Sequence, residues 1–497
     1  MKKLLIFFFL VFSVGKLSAQ FTTMFNDTLR PFGSGAYSID NIQKDDSFYY
    51  ATGIFAGNKT NNKQQLIILK IDYNGVLKDK KLLVDSLNSY ASYYYNSLII
   101  DNNKLIQLNI RTDTLNRDLG TIIVLNKSTL DTLWTKTYTH PDTIISQTAS
   151  DVFSVLTAIK ATPDGGYILT GNYNKNCVTG NLRSFLMKID SVGNVLWRKT
   201  YGNVTGLYDI ELTNNGGYVF LNPFGNNVNK IAKTDSIGNI EWQLLINSGM
   251  GGWSTTSSLA KIDSNTCVGA ETFTYDSTND LMGFNVFKIN INSKQIIWDK
   301  TYILYHTIEC ISLHQGIGIK ILTDGNIIVS GTAQRYGRDA VILKLNSNGD
   351  SLWCKSYDFE PDPWDCQLND LIVTDDGGFM GVGFFSDQSG PGWTAWMFKT
   401  DSNGVVGMNT STSLSVPKLK IYPNPASSYI NFKLPKNHSN KSTITIFNAL
   451  GQQVYSSKIN ASTSTYNLNL KSFKAGVYFY ELYSDGMALG SGKFVKL

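Results

Sequence analysis

DGGYILTG (164–171), a variable stretch, then FLMKIDSVGNVLWRKTYG (185–202) is the phrase on which the fold turns. Its second half returns as LIILKIDYNGVL from Leu66, IIVLNKSTLDTLWTKTY from Ile122 and NKIAKTDSIGNIEW from Asn229. It returns again as FNVFKININSKQIIWDKTY from Phe284, AVILKLNSNGDSLWCKSY from Ala340 and AWMFKTDSNGVVG from Ala395. Its first half recurs as NGGYVFL from Asn215, DGNIIVSGT from Asp324 and DGGFMGVGF from Asp376. Seven copies stand roughly 55 residues apart, a period that suits propeller blades better than short solenoid coils. The clearest copy parses into four strands, 156–161, 167–171, 185–189 and 195–201. Asp164-Gly165-Gly166 and Ser191-Val192-Gly193-Asn194 form the tight turns, since hairpins of this kind need positive φ. A single four-stranded sheet cannot bury both faces, but sheets stacked radially cover one another. The reading is all-β: a seven-bladed β-propeller over 20–407. Six or eight blades stay open, because the second and fifth copies are degraded.

Composition agrees. Of 497 residues, 42 % are hydrophobic, 12 % aromatic and only 17 % charged, which supplies a large core and argues against long solvated helices. The formal net charge is +5, and Lys2, Lys3 and Lys16 supply three of those charges. No basic stripe remains, so a nucleic-acid partner is not expected. Residues 1–19 have a positive start, an apolar run and small residues at Ser18-Ala19, the pattern of a secretory signal peptide. The apolar run is too short to span a bilayer, and no later segment is a transmembrane span.

The five cysteines show no CxxC pair, so no zinc site is assigned. Cys354 and Cys366, closest in sequence, are a candidate disulfide, with small buried hydrophobes as the alternative. Trp134, Trp197, Trp242, Trp298 and Trp353 recur on the fourth strands and read as wedges over a glycine turn of their own or a neighbouring blade. The lysines before the turns read as solvated or turn-bonding.

Candidate ligand-binding residues fall in the variable loops at the strand ends opposite the turns, where function gathers on a rigid scaffold. Asp362, Trp364 and Asp365 lie in an acidic stretch that lacks the glycine and terminal glutamate of a calcium-binding helix–loop–helix hand, so it reads as a solvated loop. Arg335 and Arg338 offer two guanidinium forks suited to carboxylates or sulfates. Trp393 could present an indole to a sugar face, whereas Trp396, within a strand, reads as core. The repeat turns are a poor place to look for a site. No metal, cofactor or catalytic constellation is assigned: the four histidines lack metal spacing, and no nucleophile elbow or phosphate-cradling loop appears. Carboxylates from different blades could still meet over a central channel, as glycosidases require.

After Gly407 the composition changes. A Ser/Thr-rich linker (408–417) leads into KLKIYPNPASSYINFKLP, STITIFNALGQQVYSS, YNLNLKSFKAGVYFYELYSDG and a closing KFVKL. Alternating strands over 418–497 read as a small Ig-like β-sandwich.

Three resemblances follow. The middle phrase resembles the tryptophan-docking repeats of quinoprotein propellers, which implies fold only. Its DGGY and KxDxxGxxxW elements are also similar to repeats of exported Bacteroidota propeller proteins. Residues 418–497 resemble the type A C-terminal sorting domain of the type IX (Por) secretion system. The matching residues are Tyr422, Pro423, Asn424 and Pro425, then Gly451, Gly476 with Tyr478, and the closing segment from Lys493. This resemblance implies passage through the periplasm and recognition by the outer-membrane translocon. It also implies cleavage by the processing peptidase, then release or anchoring at the cell surface. The expected function is an exported β-propeller presenting variable loops to a glycan or protein ligand. The alternatives are an extracellular polysaccharide-active enzyme, with carboxylates at the channel mouth, and a structural adhesion component.

Overall fold

The structure is a computed structural model that describes residues 22–24, 32, 35–57, 63–73, 75–91, 97–141, 153–174, 182–201, 206–224, 228–246, 252–253, 257–275, 281–306, 318–334, 338–357, 365–386, 393–405, 419–434, 442–448, 453–460, 462–484 and 487–497. The chain forms two compact units, 1–408 and 409–497. All regular structure among the described residues is β-strand.

Among the described residues of the first unit the strands pair into seven four-stranded antiparallel sets, at 35–83, 89–138, 153–201, 210–246, 252–306, 318–357 and 365–400. In the third set the strands are Phe153–Ala161, Tyr167–Asn174, Leu182–Ile189 and Val195–Tyr201, with the expected turns and longer reach at the loop ends. The first strand of the second set is split into Ser89–Ala91 and Leu98–Asp101, and that of the fifth into Gly252–Trp253 and Ser257–Lys261. These are the two copies that looked degraded in sequence. The seventh set has only three strands of its own. Its fourth is Thr22–Met24, which pairs antiparallel with Trp396–Phe398 across nearly the whole first unit.

Burial explains the stacking. The middle strands bury both faces, as in Leu182–Ile189, where six consecutive residues are buried. The fourth strands alternate: Thr132–Tyr138, Ile240–Ile246 and Ser351–Tyr357 share one pattern of exposed and part-buried residues that ends in a buried one. Lysines on these outer strands, such as Lys136, Lys300 and Lys355, keep unpaired edges from recruiting another chain. Between each set and the next lies a core cluster. Ile106, Ile122 and Leu156 join the second to the third; Ala158, Leu186 and Phe220 join the third to the fourth. The series runs through every consecutive pair and returns: Ile39, Phe55, Met380 and Met397 join the seventh set to the first.

Four of the fourth-strand tryptophans cover the turn of the next set, not their own. Trp134 lies against Gly193, Trp197 against Gly238, Trp298 against Gly349 and Trp353 against Gly404. A tyrosine four residues on completes each contact. Tyr138 Oη donates to the Gly193 carbonyl (2.8 Å), Tyr201 to Gly238 (2.6 Å), Tyr357 to Gly404 (2.8 Å), and Tyr302 donates to Gly349. Gly404 shows why glycine stands there: its φ is +69°, and a Cβ would come within 2.7 Å of the Trp353 ring. Several pre-turn lysines do bond turns, as Lys344 Nζ does to the Ser402 carbonyl of the next set (3.1 Å).

Cys354 and Cys366 are not bridged to each other. Cys354 is exposed on the outer strand of the sixth set, whereas Cys366 is buried in the core with Leu368 and Phe398.

The second unit is a two-sheet sandwich. Lys420–Tyr422, Tyr429–Lys433 and Thr465–Asn469 form one sheet. Gln453–Ile459, Ser442–Phe447, Gly476–Ser484 and Met487–Lys496 form the other. Ile430, Phe432 and Leu468 from the first meet Ile446, Tyr480 and Phe494 from the second in one core.

Candidate functional site

The loop-end candidates divide. Arg335, Asp362 and Trp364 lie outside the described residues. Arg338 and Asp365 come together as backbone partners in a parallel bridge joining the sixth set to the seventh. Trp393 opens the third strand of the seventh set. It is 42 % exposed, with its ring 5.2 Å from that of Phe384. Trp396 is buried, and its Nε1 donates to the Gln367 carbonyl (2.9 Å). His140 is buried and stacked on Tyr173 at 3.7 Å, a packing role. Among the described residues no three His, Cys, Asp or Glu gather as metal ligands.

A cleft opens at the other end of the strands. It has a volume of about 690 Å³ and lies between the third and fourth sets, with Lys261 reaching in from the fifth. Both turns of the fourth set contribute to its wall, through Gly216 and Ser236. This is the turn end, which sequence repetition had argued against. Repetition hid it because the turns themselves are monotonous; the cleft arises from what neighbouring sets place beside them.

Its electrostatics are specific. Asp164 begins the DGG turn and is held down at about 2, first by the Thr162 hydroxyl (2.6 Å) and then by the Lys188 ammonium (2.9 Å). The Lys188 side chain is only 6 % exposed and that of Asp164 59 %, so the carboxylate carries the pair's charge toward solvent. Lys261 Nζ donates to the Leu212 carbonyl (3.2 Å) and to Asn214 Oδ1 (2.6 Å). Nearby, Lys160 pairs with Glu211 at 2.9 Å.

Sequence reading missed a second group, the buried aspartates of the inner strands. Asp209 Oδ2 accepts from the Leu259 amide (2.8 Å) and the Ser258 hydroxyl (3.0 Å) of the fifth set. Asp370 Oδ2 accepts from the Ile42 amide of the first (3.0 Å). Burial pushes both carboxyls above their ordinary value. Aligning YDIEL with NDLIV on their glycine turns puts the two aspartates in one register, a signal the sequence did hold. Each ties its set to the backbone of the following one and is shielded from solvent.

In the second unit two of the residues expected in the sorting signal, Asn424 and Lys493, come together. Asn424 Oδ1 accepts from the Val495 amide (2.9 Å), and its Nδ2 donates to the Lys493 carbonyl (3.4 Å). Ala426 N donates to Val495 O, and Leu497 N donates to Ala426 O, both at 2.8 Å. The Tyr-Pro-Asn-Pro segment and the chain's last residues therefore form one clip. Tyr478 packs on Phe494, with ring centroids 5.5 Å apart, and its hydroxyl donates to the Lys474 carbonyl (2.9 Å). The Lys493 side chain is exposed; Gly451 lies outside the described residues.

Residues 420–496 match the family described as the secretion system C-terminal sorting domain. The chain thus carries a sorting domain, which marks it as a secretion-system substrate bound for the cell surface or the medium. No curated protein matches the sequence. Among solved structures, a protein of unknown function from Dyadobacter fermentans is similar at 10 % identity, over 74 % of this chain and 95 % of that one, with a TM-score of 0.45. The Pan2 WD40 domain of Neurospora crassa is similar at 10 % identity, over 76 % and 95 %, with a TM-score of 0.42. An alpha-L-arabinofuranosidase from Fusarium graminearum is similar at 9 % identity, over 75 % and 95 %, with a TM-score of 0.42. No helix among the described residues is long and apolar enough to cross a membrane.

Proposed function

We propose that the protein is a type IX secretion substrate whose passenger is a seven-bladed β-propeller acting as a binding or scaffold module. Recognition of its tail by the outer-membrane translocon would bring it to the cell surface or the medium. The observation that carries the export reading is the clip between Asn424 and the segment from Lys493 to Leu497, within the stretch matched by the sorting family. The closed series of core clusters, with Thr22–Met24 completing the seventh set, supports seven blades. A rigid closed scaffold with variable loops on one end is suited to presenting a binding surface to a glycan or a protein. Arg335, Arg338, Asp362, Trp364, Asp365 and Trp393 are the loop-end residues to test.

Deletion of 418–497 is the direct experiment. Cell fractionation is expected to find the shortened chain retained inside the cell, with the surface and medium pools lost. Unchanged surface or medium levels would remove the export reading.

A further inference from the structure

The cleft between the third and fourth sets carries a chemistry that stacking alone does not require. Its turns close their own backbone groups: Thr162 N donates to Gly166 O (2.9 Å), and Thr213 N donates to Gly217 O (2.9 Å). The turns themselves therefore offer a peptide no ladder to extend. What the walls present is side chains. Thr213, Ser236, Asn214 and Asp164 supply hydroxyl, amide and carboxylate groups. Beside them runs an apolar strip of Leu196, Trp197, Leu212 and Tyr218, in which Leu196 is 57 % exposed. A polar rim beside an aromatic and aliphatic strip suits a sugar ring, whose C–H face is apolar and whose edge is hydroxylated.

Charge narrows the class. The Lys188 ammonium offsets Asp164, and Glu211 offsets Lys160. Lys261 meets two uncharged partners, the Leu212 carbonyl and the Asn214 amide oxygen. Among the charged residues that line the cleft, Asp164 and Lys188 offset each other and Lys261 adds a positive charge at its edge.

We propose that this cleft binds an anionic saccharide, with Lys261 on its carboxylate or sulfate, Asn214 and Asp164 on ring hydroxyls, and the Leu196–Trp197 strip beneath the ring. The site lies at the turn end and does not depend on the loop-end residues proposed above. The purified full chain is titrated calorimetrically with an oligogalacturonate, a sulfated galactan oligomer and a neutral cello-oligosaccharide. At least one anionic oligomer is expected to bind, more weakly as salt rises, and the neutral one at least about tenfold less tightly. The carboxylated and sulfated arms distinguish which acid group is taken.

Lys261→Gln and Asn214→Ala are each expected to weaken binding about tenfold, the loss of one hydrogen bond to a charged group or its aligning partner. Lys261→Arg should retain binding, and Lys355→Gln on an outer strand should leave it unchanged. Thermal melting of each variant confirms that it is folded. Absence of binding by both anionic oligomers, equal binding of the neutral one, or an unaltered affinity in Lys261→Gln would overturn the proposal. An acidic peptide competing with equal affinity would overturn the saccharide class.

Discussion

The junction between the sixth and seventh sets and the junction between the seventh and the first do the same job with different chemistry. The former is a fourth-strand lock: Trp353 and Tyr357 close over Gly404, 47 residues away from the tyrosine. Among the described residues the latter shows no such lock. Asp370 takes the Ile42 amide across 328 residues, and Asn369 Nδ2 donates to the Ile39 carbonyl (3.0 Å). Lys44 and Asp375 add an ion pair, and Thr22–Met24 supplies the outer strand. A neighbour lock can be written into each repeat, because its partner is always the next turn. The closing junction must join the first unit's two ends, which have the largest loop-closure entropy to overcome. It relies on buried, fully directed hydrogen bonds in place of a surface wedge.

Asp370→Ala should break this contrast most sharply. It leaves the Ile42 and Leu371 amides without their acceptor, and the expected loss is about 3 kcal/mol in urea unfolding. Trp353→Ala, which removes a part-buried ring from the neighbour lock, should follow at about 2 kcal/mol. Gly404→Ala forces a Cβ against that ring at positive φ and is expected to lose about 1–2 kcal/mol. Tyr357→Phe deletes one hydrogen bond and should lose about 1 kcal/mol by the same measurement. If Tyr357→Phe proved as damaging as Asp370→Ala, the distinction between the two kinds of junction would fail.

The pH dependence sharpens the comparison further. Burial raises the Asp370 carboxyl, so the folded chain holds its proton more tightly than the unfolded chain. That contribution is fully present below the ordinary carboxylate value and is lost as pH rises through the raised one. Asp164 runs the other way. Held at about 2, it contributes above its ordinary value of 3.8 and loses the contribution as pH falls toward 2. Unfolding curves from pH 3 to pH 7 should show Asp370→Asn flattening the decline at higher pH. Asp164→Asn should soften the loss in acid, with a smaller effect because its side chain is largely exposed.

Much of the architecture was legible in the sequence. The recurring glycine turns located both hairpins of the third, fourth, sixth and seventh sets, and the periodic tryptophans marked contacts between sets. The direction of those contacts was not legible: nothing in Trp197's own repeat says that its partner is Gly238. The closing strand escaped notice because three residues at 22–24 carry no repeat signature. The cleft escaped because Lys261, Asn214 and Asp164 come from three different repeats, each unremarkable alone. The sorting segment was the most readable part, since its motif residues are local. That Asn424 clasps the backbone at Lys493 and Val495 required the folded sandwich.

Sequence by itself determined the repeating four-strand unit, its turns and its hydrophobic faces, because these depend on residues near one another along the chain. It also determined the tail's membership in the sorting family, which rests on short motifs. Tertiary structure alone decided which turn each indole covers and how the two ends meet. It alone decided where three unlike side chains share a cleft, because each of these depends on surfaces brought together only when the sheets stack.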